Sequence, residues 1–518
     1  MTINGTISNQ THYFFSNTSL PDGEYPQSVT TVKDMIAGYR GEQRTQTFKD
    51  ADNIQMIPGA TFIPNSSDQY TSGYWLLDNP SDAVSSTLPV LYINTEGGTP
   101  VTSKETYVNA TYYLHANNTT GCSDIGSKET PLDMQICGRG NYTWSGFDKK
   151  PYRIKLTVGQ KLAGLNKAKH FVLMAGADDE LGYLRNPLGF ELSKRMGMAW
   201  TPDYRPIEVV LNGNYIGLYF LTENIRVDKD RVDITEQMDL SDDDVTGGWL
   251  VEVDNYDKDP HISVNVPDKN QDVWITYHSP EVLSATQKDY LQNQFNAIRD
   301  AVYCNDRSST EWETLIDKEA MARVYVTREL MQDEEGFHGS FYMYNDCGTD
   351  KKWEAGPVWD FGNSFRNPAN DFIWNYPNFE CYFIDQIYQF PRFQETVRNV
   401  FGDFFRDSYP TVDIFIDSLA NTISQAALAD HARWGKYGTA DMEGKAKEIK
   451  AKLKEKVDWL VGQWGTSGSM GINATETTAT RPQSAIYDIS GRRLSGTHHN
   501  KHGIVIKRQG NRIIKIIR

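Results

Sequence analysis

The sequence predicts a mixed α+β protein in which a strand-rich part precedes a helix-rich part. Polar and apolar side chains alternate over 106–116 and again over 149–158, which is typical of strands with one buried face. Long amphipathic stretches near 283–302, 311–332 and 440–464 favour helices. Because the two patterns occupy different parts of the chain, we expect a β-rich lobe followed by a helix-rich lobe.

Three shorter signals sharpen this prediction. The run LPVLYINT at 88–95 is typical of a strand. Apolar residues recur every four positions from Leu184 to Met196 around Asn186-Pro187, and proline suits the first turn of a helix. Asn212-Gly213 lies between two apolar runs and predicts a tight β-hairpin.

Composition and charge exclude several classes of protein. The chain has 518 residues, of which 39% are hydrophobic and 23% charged, as in a soluble globular protein. No apolar run reaches the roughly 18 residues of a membrane span. The net charge is −16, but residues 481–518 hold nine Lys/Arg and one acid, Asp488, so the rest carries about −24 (−16 minus +8). A body this acidic is a poor partner for nucleic acid.

The same composition divides the chain into four segments. Residues 1–85 are polar and rich in Asn, Ser and Thr, and no role follows from them. Residues 86–464 hold the strand and helix patterns and form the predicted main domain. Residues 465–483 are poor in bulky apolar side chains and form a linker. Residues 484–518 alternate strand-like runs with glycines, which predicts a small β-module.

The five cysteines leave two interpretations open. None forms a C-x-x-C pair, so a zinc site is not expected. Cys122 and Cys137 are spaced to close one short disulfide in an oxidising compartment, and the alternative is five independent thiols. The first residues lack the basic and apolar segments of a signal peptide as the sequence stands.

The strongest chemical signal lies in residues 321–366. A predicted helix ends at Asp333, the strand-like run SFYMYN follows, and a second strand-like run ends at Asp360-Phe361-Gly362. Because a hairpin brings its two open ends together, we expect Asp333 and Asp360 to meet at its mouth. In protein kinases one such acid orients and deprotonates the attacking hydroxyl, and the other holds Mg²⁺. The plainer interpretation is two solvated acids at turns.

A second segment upstream fits the same order of parts. Gly138-Arg139-Gly140 is a glycine-containing loop, and Lys155 lies on the strand that follows it. Kinases use such a loop to cover the phosphates and a strand lysine to pair with them. A surface hairpin with solvated basic side chains is the alternative for this segment.

Four motifs in this order resemble the CotH kinase family. CGRGNYTWSGFDKKPYRIKL is similar to its "RGN-S…KKPY-K" segment, and FVLMAGADDELGYLRNPLGFELSKRMG to its "D-x-x-LRN…LG" helix. VVLNGNYIGLYFLTENI resembles the "NG-Y-GLY-L-E" hairpin, and GPVWDF the "PWD" motif. The resemblance covers residues 90–365 and implies an atypical protein-kinase-like domain that binds ATP and Mg²⁺ or Mn²⁺.

By position, the resemblance assigns six site residues. It implies Asp333 as the catalytic base and Asp360 and Ser340 as the metal positions. It implies that Arg139 and Lys155 contact phosphates and that Glu223 lies near the nucleotide. The family usually has Asn at the place of Ser340 and often a second acid at the place of Gly362, so this chain departs from the pattern at two metal contacts.

The final module resembles the sorting tail of the type IX secretion route of Bacteroidetes, through IYDISGRR at 486–493 and GIVI at 503–506. A generic β-module is the alternative. The tail implies a secreted or cell-surface protein and the secretion machinery as a partner. The expected function is phosphoryl transfer to Ser/Thr hydroxyls of exported proteins. The alternatives are phosphorylation of a glycan or small molecule, and a non-catalytic adhesin or glycan-binding protein on a degenerate kinase-like fold.

Overall fold

A computed structural model describes residues 87–256, 259–435, 437 and 439–466, together with short strands outside them. By their contacts these residues divide into two units. Unit 1 comprises residues up to 184 with 203–224 and 419–447, and unit 2 comprises 185–202, 225–418 and 448 onward.

The strands, in chain order, are β1 (Gln46–Thr47), β2 (Ala60–Pro64), β3 (Ser72–Leu77), β4 (Val90–Thr95), β5 (Val108–His115), β6 (Leu132–Gly138), β7 (Tyr152–Gln160), β8 (Ala168–Met174), β9 (Tyr204–Leu211), β10 (Asn214–Glu223), β11 (Trp249–Val253), β12 (His261–Val264), β13 (Val273–Ser279), β14 (Phe341–Asn345), β15 (Glu354–Val358), β16 (Ala485–Asp488), β17 (Ile504–Gln509) and β18 (Arg512–Ile517).

The helices are α1 (Tyr142–Gly146), α2 (Arg185–Met196), α3 (Ala285–Val302), α4 (Trp312–Leu315), α5 (Lys318–Leu330), α6 (Ile384–Ile387), α7 (Pro391–Asp407), α8 (Val412–Trp434) and α9 (Met442–Trp464). The mixed α+β class is therefore confirmed. The predicted helices near 283–302 and 440–464 correspond to α3 and α9, and the stretch 311–332 is divided between α4 and α5. No helix in the described part of the chain has both the length and the apolar character needed to cross a bilayer.

Unit 1 is built around a closed barrel of seven strands in the order β10-β8-β7-β6-β5-β4-β9. Its neighbours pair antiparallel except β4 and β9, which pair in parallel. The alternating apolar side chains of these strands fill the interior, with Leu91, Ile136, Ile154 and Leu173 among the buried residues. The strand pattern of the sequence is confirmed, but a kinase-like two-lobe arrangement was expected and a closed barrel was not.

The predicted hairpin at Asn212-Gly213 joins β9 and β10 by a two-residue turn. Both turn residues have positive φ, 52° for Asn212 and 74° for Gly213, as a hairpin turn of this kind requires. Further along β10, Gly217 has φ +104°, and a Cβ there would lie 1.7 Å from Oδ1 of Asp430 on α8. The glycine therefore makes room for a helix carboxylate against the strand.

That carboxylate belongs to a buried ion pair within unit 1. Nζ of Lys149 lies 2.8 Å from Oδ1 of Asp430, and both side chains are 0% exposed. The backbone amide of Leu218 also donates to Oδ1 at 2.8 Å, and the Tyr183 hydroxyl donates to Oδ2. Burial lowers the pKa of Lys149, and the Asp430 charge opposes this effect. The pair thus attaches the end of α8 to the β9–β10 hairpin.

Unit 2 contains a five-stranded sheet in the order β12-β13-β11-β14-β15. The predicted hairpin is confirmed as β14 and β15, whose open ends meet where Phe341 pairs with Val358. Helix α5 precedes this hairpin. It begins after the N-cap residue Asp317, whose side chain accepts a hydrogen bond from the amide of Ala320 at 2.8 Å, and it ends at Leu330. Helix, loop and hairpin thus follow the predicted order.

Several predictions fall on other parts of the chain. All five cysteines are free thiols, so the Cys122–Cys137 disulfide is not formed. Cys137 is buried in the wall of the barrel, whereas Cys122 lies in a loop. The segment GRGNYTWSG was predicted as a loop and contains the short helix α1. Most of 1–85 and the linker lie outside the described residues, and β16, β17 and β18 pair as an antiparallel sheet.

The structure predicts a large effect of the conservative change Asp430→Asn. Removing one charge of a buried pair leaves Lys149 uncompensated, which typically costs about 3–5 kcal/mol of unfolding free energy. Asp417→Asn, on the same helix, is the control, because its pair with Lys450 is exposed and such pairs contribute about 0–1 kcal/mol. Urea unfolding of the two variants measures the difference, and equal losses would contradict the structural role assigned to Asp430.

Candidate functional site

The hairpin mouth of unit 2 collects acidic side chains from two loops. Residues 331–340 connect α5 to β14, and residues 359–366 follow β15. Both loops contain non-glycine residues with positive φ: 51° for Gln332, 54° for Ser340, 56° for Asp360 and 62° for Phe365. Such conformations cost about 1–3 kcal/mol each and persist where the surroundings hold them, which is common at functional sites.

The guanidinium of Arg328, in the last turn of α5, joins the two loops. It donates to Oδ2 of Asp333 and, at 3.1 Å, to the carbonyl of Ser340 in the first loop. In the second loop it donates to the carbonyls of Trp359 at 2.7 Å and Asp360 at 2.8 Å. Its side chain is 1% exposed. A single buried cation therefore fixes both loop backbones.

The backbone of the loop passes so close to the Arg328 side chain that residue 336 must be a glycine. A Cβ at Gly336 would lie 2.5 Å from Cδ of Arg328 and 2.9 Å from Oδ2 of Asp333. The guanidinium carbon of Arg328 also lies 4.6 Å from the centroid of the Phe361 ring. Since contacts this close to a Cβ are essentially never seen, Gly336 is needed for the ion pair to form.

Asp333, the base implied by the family resemblance, is the buried partner in this ion pair. Its side chain is 1% exposed. Burial raises the pKa of Asp333 to about 6, although Arg328 acts in the opposite direction. Oδ1 has no hydrogen-bond partner in the described part of the chain. The contacts indicate that Asp333 positions the loop through Arg328.

Glu335 is a third carboxylate at the mouth, and the sequence analysis did not single it out. The side-chain amide of Asn363 donates to its Oε2, and the Tyr256 hydroxyl forms a second hydrogen bond. Burial, followed by the charges of Asp360 and Asp333, raises the pKa of Glu335 to about 8. Unlike Asp333, Glu335 is only half-buried and has no cationic partner in these contacts. This carboxyl is the better placed of the two to exchange a proton.

One sequence signal identifies Glu335. In the kinase catalytic loop, H-R-D-x-x-x-x-N, five positions separate the base from the metal-binding Asn. Counting back five from Ser340 reaches residue 335, whereas Asp333 is seven positions away. The family resemblance thus implies Asp333 as the base, whereas the kinase spacing favours Glu335.

Asp360 is the exposed carboxylate of the site. Its Oδ1 accepts a hydrogen bond from the amide of Gly362 at 3.0 Å. The segment after it is held by the first residues of α2: Asn186 Oδ1 accepts from the amide of Phe361 at 2.9 Å, and Arg185 donates to the carbonyl of Gly362 at 3.0 Å. The "LRN" motif thus supports the loop that presents Asp360.

The three residues predicted to bind nucleotide belong to unit 1, and the acidic residues of the hairpin mouth belong to unit 2. The backbone amide of Arg139 donates to the carbonyl of Pro151 at 3.2 Å. Lys155 is exposed on β7, next to the inward-facing Ile154. Glu223 is buried, two positions beyond the core residue Leu221, and accepts from the amide of Asp203 at 3.1 Å.

The alternation of strand side chains bears on these assignments. Lys155 faces outward from the barrel and Glu223 lies on the side of the core, so the sheet separates them. The buried lysine of this region is Lys149, which precedes β7 and was not among the predicted site residues. Its contacts with Asp430 make it part of the structural core of unit 1.

The acidic side chains of the hairpin mouth supply part of the ligand set of a divalent cation. In the described part of the chain, no group of three or more His, Cys, Asp or Glu side chains is arranged to hold a metal by itself. Mg²⁺ in phosphoryl-transfer enzymes is often held by one or two carboxylates together with substrate phosphates and water. The exposed Asp360 fits that mode, in which phosphates and water complete the site, whereas Asp333 is buried in its ion pair with Arg328.

A comparison with known families agrees with this architecture. The family described as "CotH kinase protein" matches residues 136–460, which is 325 of the 518 residues. The match includes both loops of the hairpin mouth, α2 and the β9–β10 hairpin. No curated protein matches the chain.

The structure predicts that Arg328 cannot be replaced by another cation. In Arg328→Lys, one ammonium with three N–H donors replaces a planar fork that reaches a carboxylate and three carbonyls, so at least one acceptor loses its donor and the others lose the geometry of the fork. We expect a loss of about 2–4 kcal/mol of unfolding free energy, since unsatisfied buried acceptors cost about 1–3 kcal/mol each. Arg323→Lys, one turn earlier on the exposed face of α5, serves as the control in thermal unfolding. A similar small shift for both variants would contradict this role.

Proposed function

The chain belongs to the CotH kinase family, and on this basis we propose that it transfers a phosphoryl group from ATP, with Mg²⁺ or Mn²⁺, to Ser/Thr hydroxyls of exported or cell-surface proteins. The observation that carries the proposal is the convergence of Asp333, Glu335 and Asp360 at one hairpin mouth, with both loops fixed by Arg328. Phosphoryl transfer depends chiefly on positioning and on stabilising charge, and this arrangement is suited to both.

In the proposed reaction Glu335 accepts the proton of the attacking hydroxyl and later returns it to solvent. The hydroxyl oxygen forms a bond to the γ-phosphorus, and the bond between that phosphorus and the bridging oxygen of ADP breaks. Asp360 would hold the metal, which would supply positive charge to the phosphate oxygens. Asp333 and Arg328 keep the two loops in place, so the carboxylates need not rearrange during the reaction.

The nucleotide-binding part of the proposal rests on the family resemblance. Arg139 and Glu223 are proposed to lie near the nucleotide, and the family motif gives Lys155 a phosphate contact. The outward position of Lys155 weighs against the last assignment unless the phosphates lie on that face of the barrel. The acceptor and the export route are also proposals, and the latter rests on the resemblance of residues 486–506 to a sorting tail.

A binding-only protein is the second candidate, and one observation favours it. Gly362 has no side chain and Ser340 has a short one, where the family often has a second acid and usually Asn. Both changes remove a side-chain ligand for a metal. In this alternative the protein binds a nucleotide or a glycan but transfers no phosphoryl group.

The first test measures phosphoryl transfer by the full chain from γ-³²P-labelled ATP to a mixture of proteins, with Mg²⁺ or Mn²⁺ present. Calorimetry measures ATP binding in parallel. We expect Glu335→Gln and Asp360→Asn to lower transfer by at least about 100-fold, because general-base catalysis typically contributes 10²–10⁴. Asp333→Asn should lower both stability and activity, since it removes a partner of Arg328.

The three variants distinguish the two assignments of the base. If Asp333→Asn abolished transfer without loss of stability while Glu335→Gln retained turnover, Asp333 would be the base, as the family resemblance implies. Absence of ATP binding with either metal would remove the kinase proposal and favour the adhesin.

A second test uses the effect of pH on stability and needs no substrate. The folded-state pKa of Glu335 is about 8, above the ordinary glutamate value of 4.5, so its contribution to stability is full below pH 4.5 and is lost as pH rises through about 8. Glu335→Gln removes this loss, and we expect its melting temperature to exceed that of the wild type at pH 8.5 but not at pH 4.5. Glu319→Gln, an exposed change on α5, is the control. A difference independent of pH would contradict the raised pKa.

A further inference from the structure

The loop after Asp360 ends in a cation that the proposed mechanism does not use. Arg366 is exposed, and its guanidinium donates to Oδ1 of Asn363. The amide nitrogen of the same Asn363 donates to Oε2 of Glu335. One asparagine therefore connects an exposed cation to the carboxylate proposed as the base.

The backbone before Arg366 is held in an unusual conformation. Phe365 has φ 62°, a region that a bulky residue rarely adopts. Its amide donates to the carbonyl of Met331 at 3.2 Å, its carbonyl accepts from Nζ of Lys452 at 3.3 Å, and its side chain is 2% exposed. Because three contacts fix this residue, the direction in which the chain presents Arg366 is fixed as well.

The charges around the mouth give this cation a role. Asp333, Glu335 and Asp360 are all carboxylates, and the buried Arg328 already binds Asp333 and three carbonyls. Within 331–340 and 359–366, Arg366 is the one Lys or Arg in the sequence. A phosphate that approaches three carboxylates is repelled unless positive charge is provided, and an exposed guanidinium matches phosphate oxygens with two parallel hydrogen bonds.

We propose that Arg366, oriented by Asn363, binds the transferred phosphoryl group and supplies positive charge at a site where Ser340 offers a metal only a short hydroxyl and Gly362 offers no side chain. The inference rests on the proposed function of the same site. It assigns the residue to the phosphoryl oxygens of the nucleotide and not to the acceptor. With Arg366 in this role, the site depends less on metal than a site that has Asn at position 340 and an acid at position 362.

The test compares the wild type with Arg366→Gln and Arg366→Lys in phosphoryl transfer with a magnesium titration. We expect Arg366→Gln to lower kcat about 10- to 100-fold and to raise the Mg²⁺ concentration for half-maximal activity, since loss of one preorganised donor costs amounts of this order or more. Arg366→Lys should retain part of the activity. Melting temperatures should stay within about 1–2 °C, because exposed substitutions change stability little. Arg406→Gln, an exposed arginine of α7, is the matched control.

The outcomes separate the inference from the proposed function. If the wild type is active and Arg366→Gln keeps the same kcat and metal dependence, the inference about Arg366 is wrong but the proposed function stands. If only the KM for the acceptor changes in Arg366→Gln, Arg366 binds the acceptor, and the inference is also wrong. If the wild type binds nucleotide without transfer, calorimetry with ATP and AMP replaces the kinetic readout. Loss of the preference for ATP in Arg366→Gln then supports the inference, and an unchanged preference overturns it. A wild type that neither binds nor transfers overturns both.

Discussion

The acidic mouth of unit 2 depends on one buried guanidinium. Arg328 binds a carboxylate and a carbonyl of the loop before the hairpin and two carbonyls of the loop after it, with 1% of its side chain exposed. A lysine has no planar fork with which to reach four acceptors in two loops. Because water does not compete at this depth, these contacts hold Ser340 and Asp360 in positive-φ conformations that cost free energy on their own. The geometry of the site is thus set by the fold before any ligand binds.

Buried ion pairs serve different purposes in the two units. In unit 1, Asp430 receives Lys149, the Leu218 amide and the Tyr183 hydroxyl, and the result is attachment of a helix to a hairpin. Lys456 and Glu329 form a similar pair in unit 2, 2.8 Å apart and 0% exposed. At the hairpin mouth the buried Arg328 pairs with Asp333, one of three acids, and Glu335 and Asp360 lie outside this pair. Burial raises the pKa of Asp333 and of Glu335, and neighbouring acidic charges act in the same direction.

Local patterns predicted most elements, and long-range pairing and side-chain environment account for what was missed. The alternation of polar and apolar residues and the Asn212-Gly213 turn are enough to predict strands of the barrel. Closure of the barrel requires the parallel pairing of β4 with β9, which no local pattern encodes. Lys155 lies on the outward face of β7, whereas Lys149 precedes that strand and is buried by its long-range contact with Asp430, which no local pattern encodes. Asp333 and Glu335 are both acids in the same loop, and their roles differ because Arg328 reaches one of them. The kinase-loop spacing to Ser340 was the one sequence signal that distinguishes them.

The departures at Ser340 and Gly362 have a physical consequence that depends on what else the loops contain. Side-chain ligands are lost at both positions, but the backbone at Ser340 and Asp360 keeps its strained conformation because Arg328, Asn186 and Arg185 hold it. A site whose framework survives the loss of ligands can still bind phosphate if positive charge comes from elsewhere. Arg366 stands on the same fixed loop and is connected to Glu335 through Asn363. Preorganised charge contributes most when its framework does not move, and the backbone contacts of these two loops meet that condition.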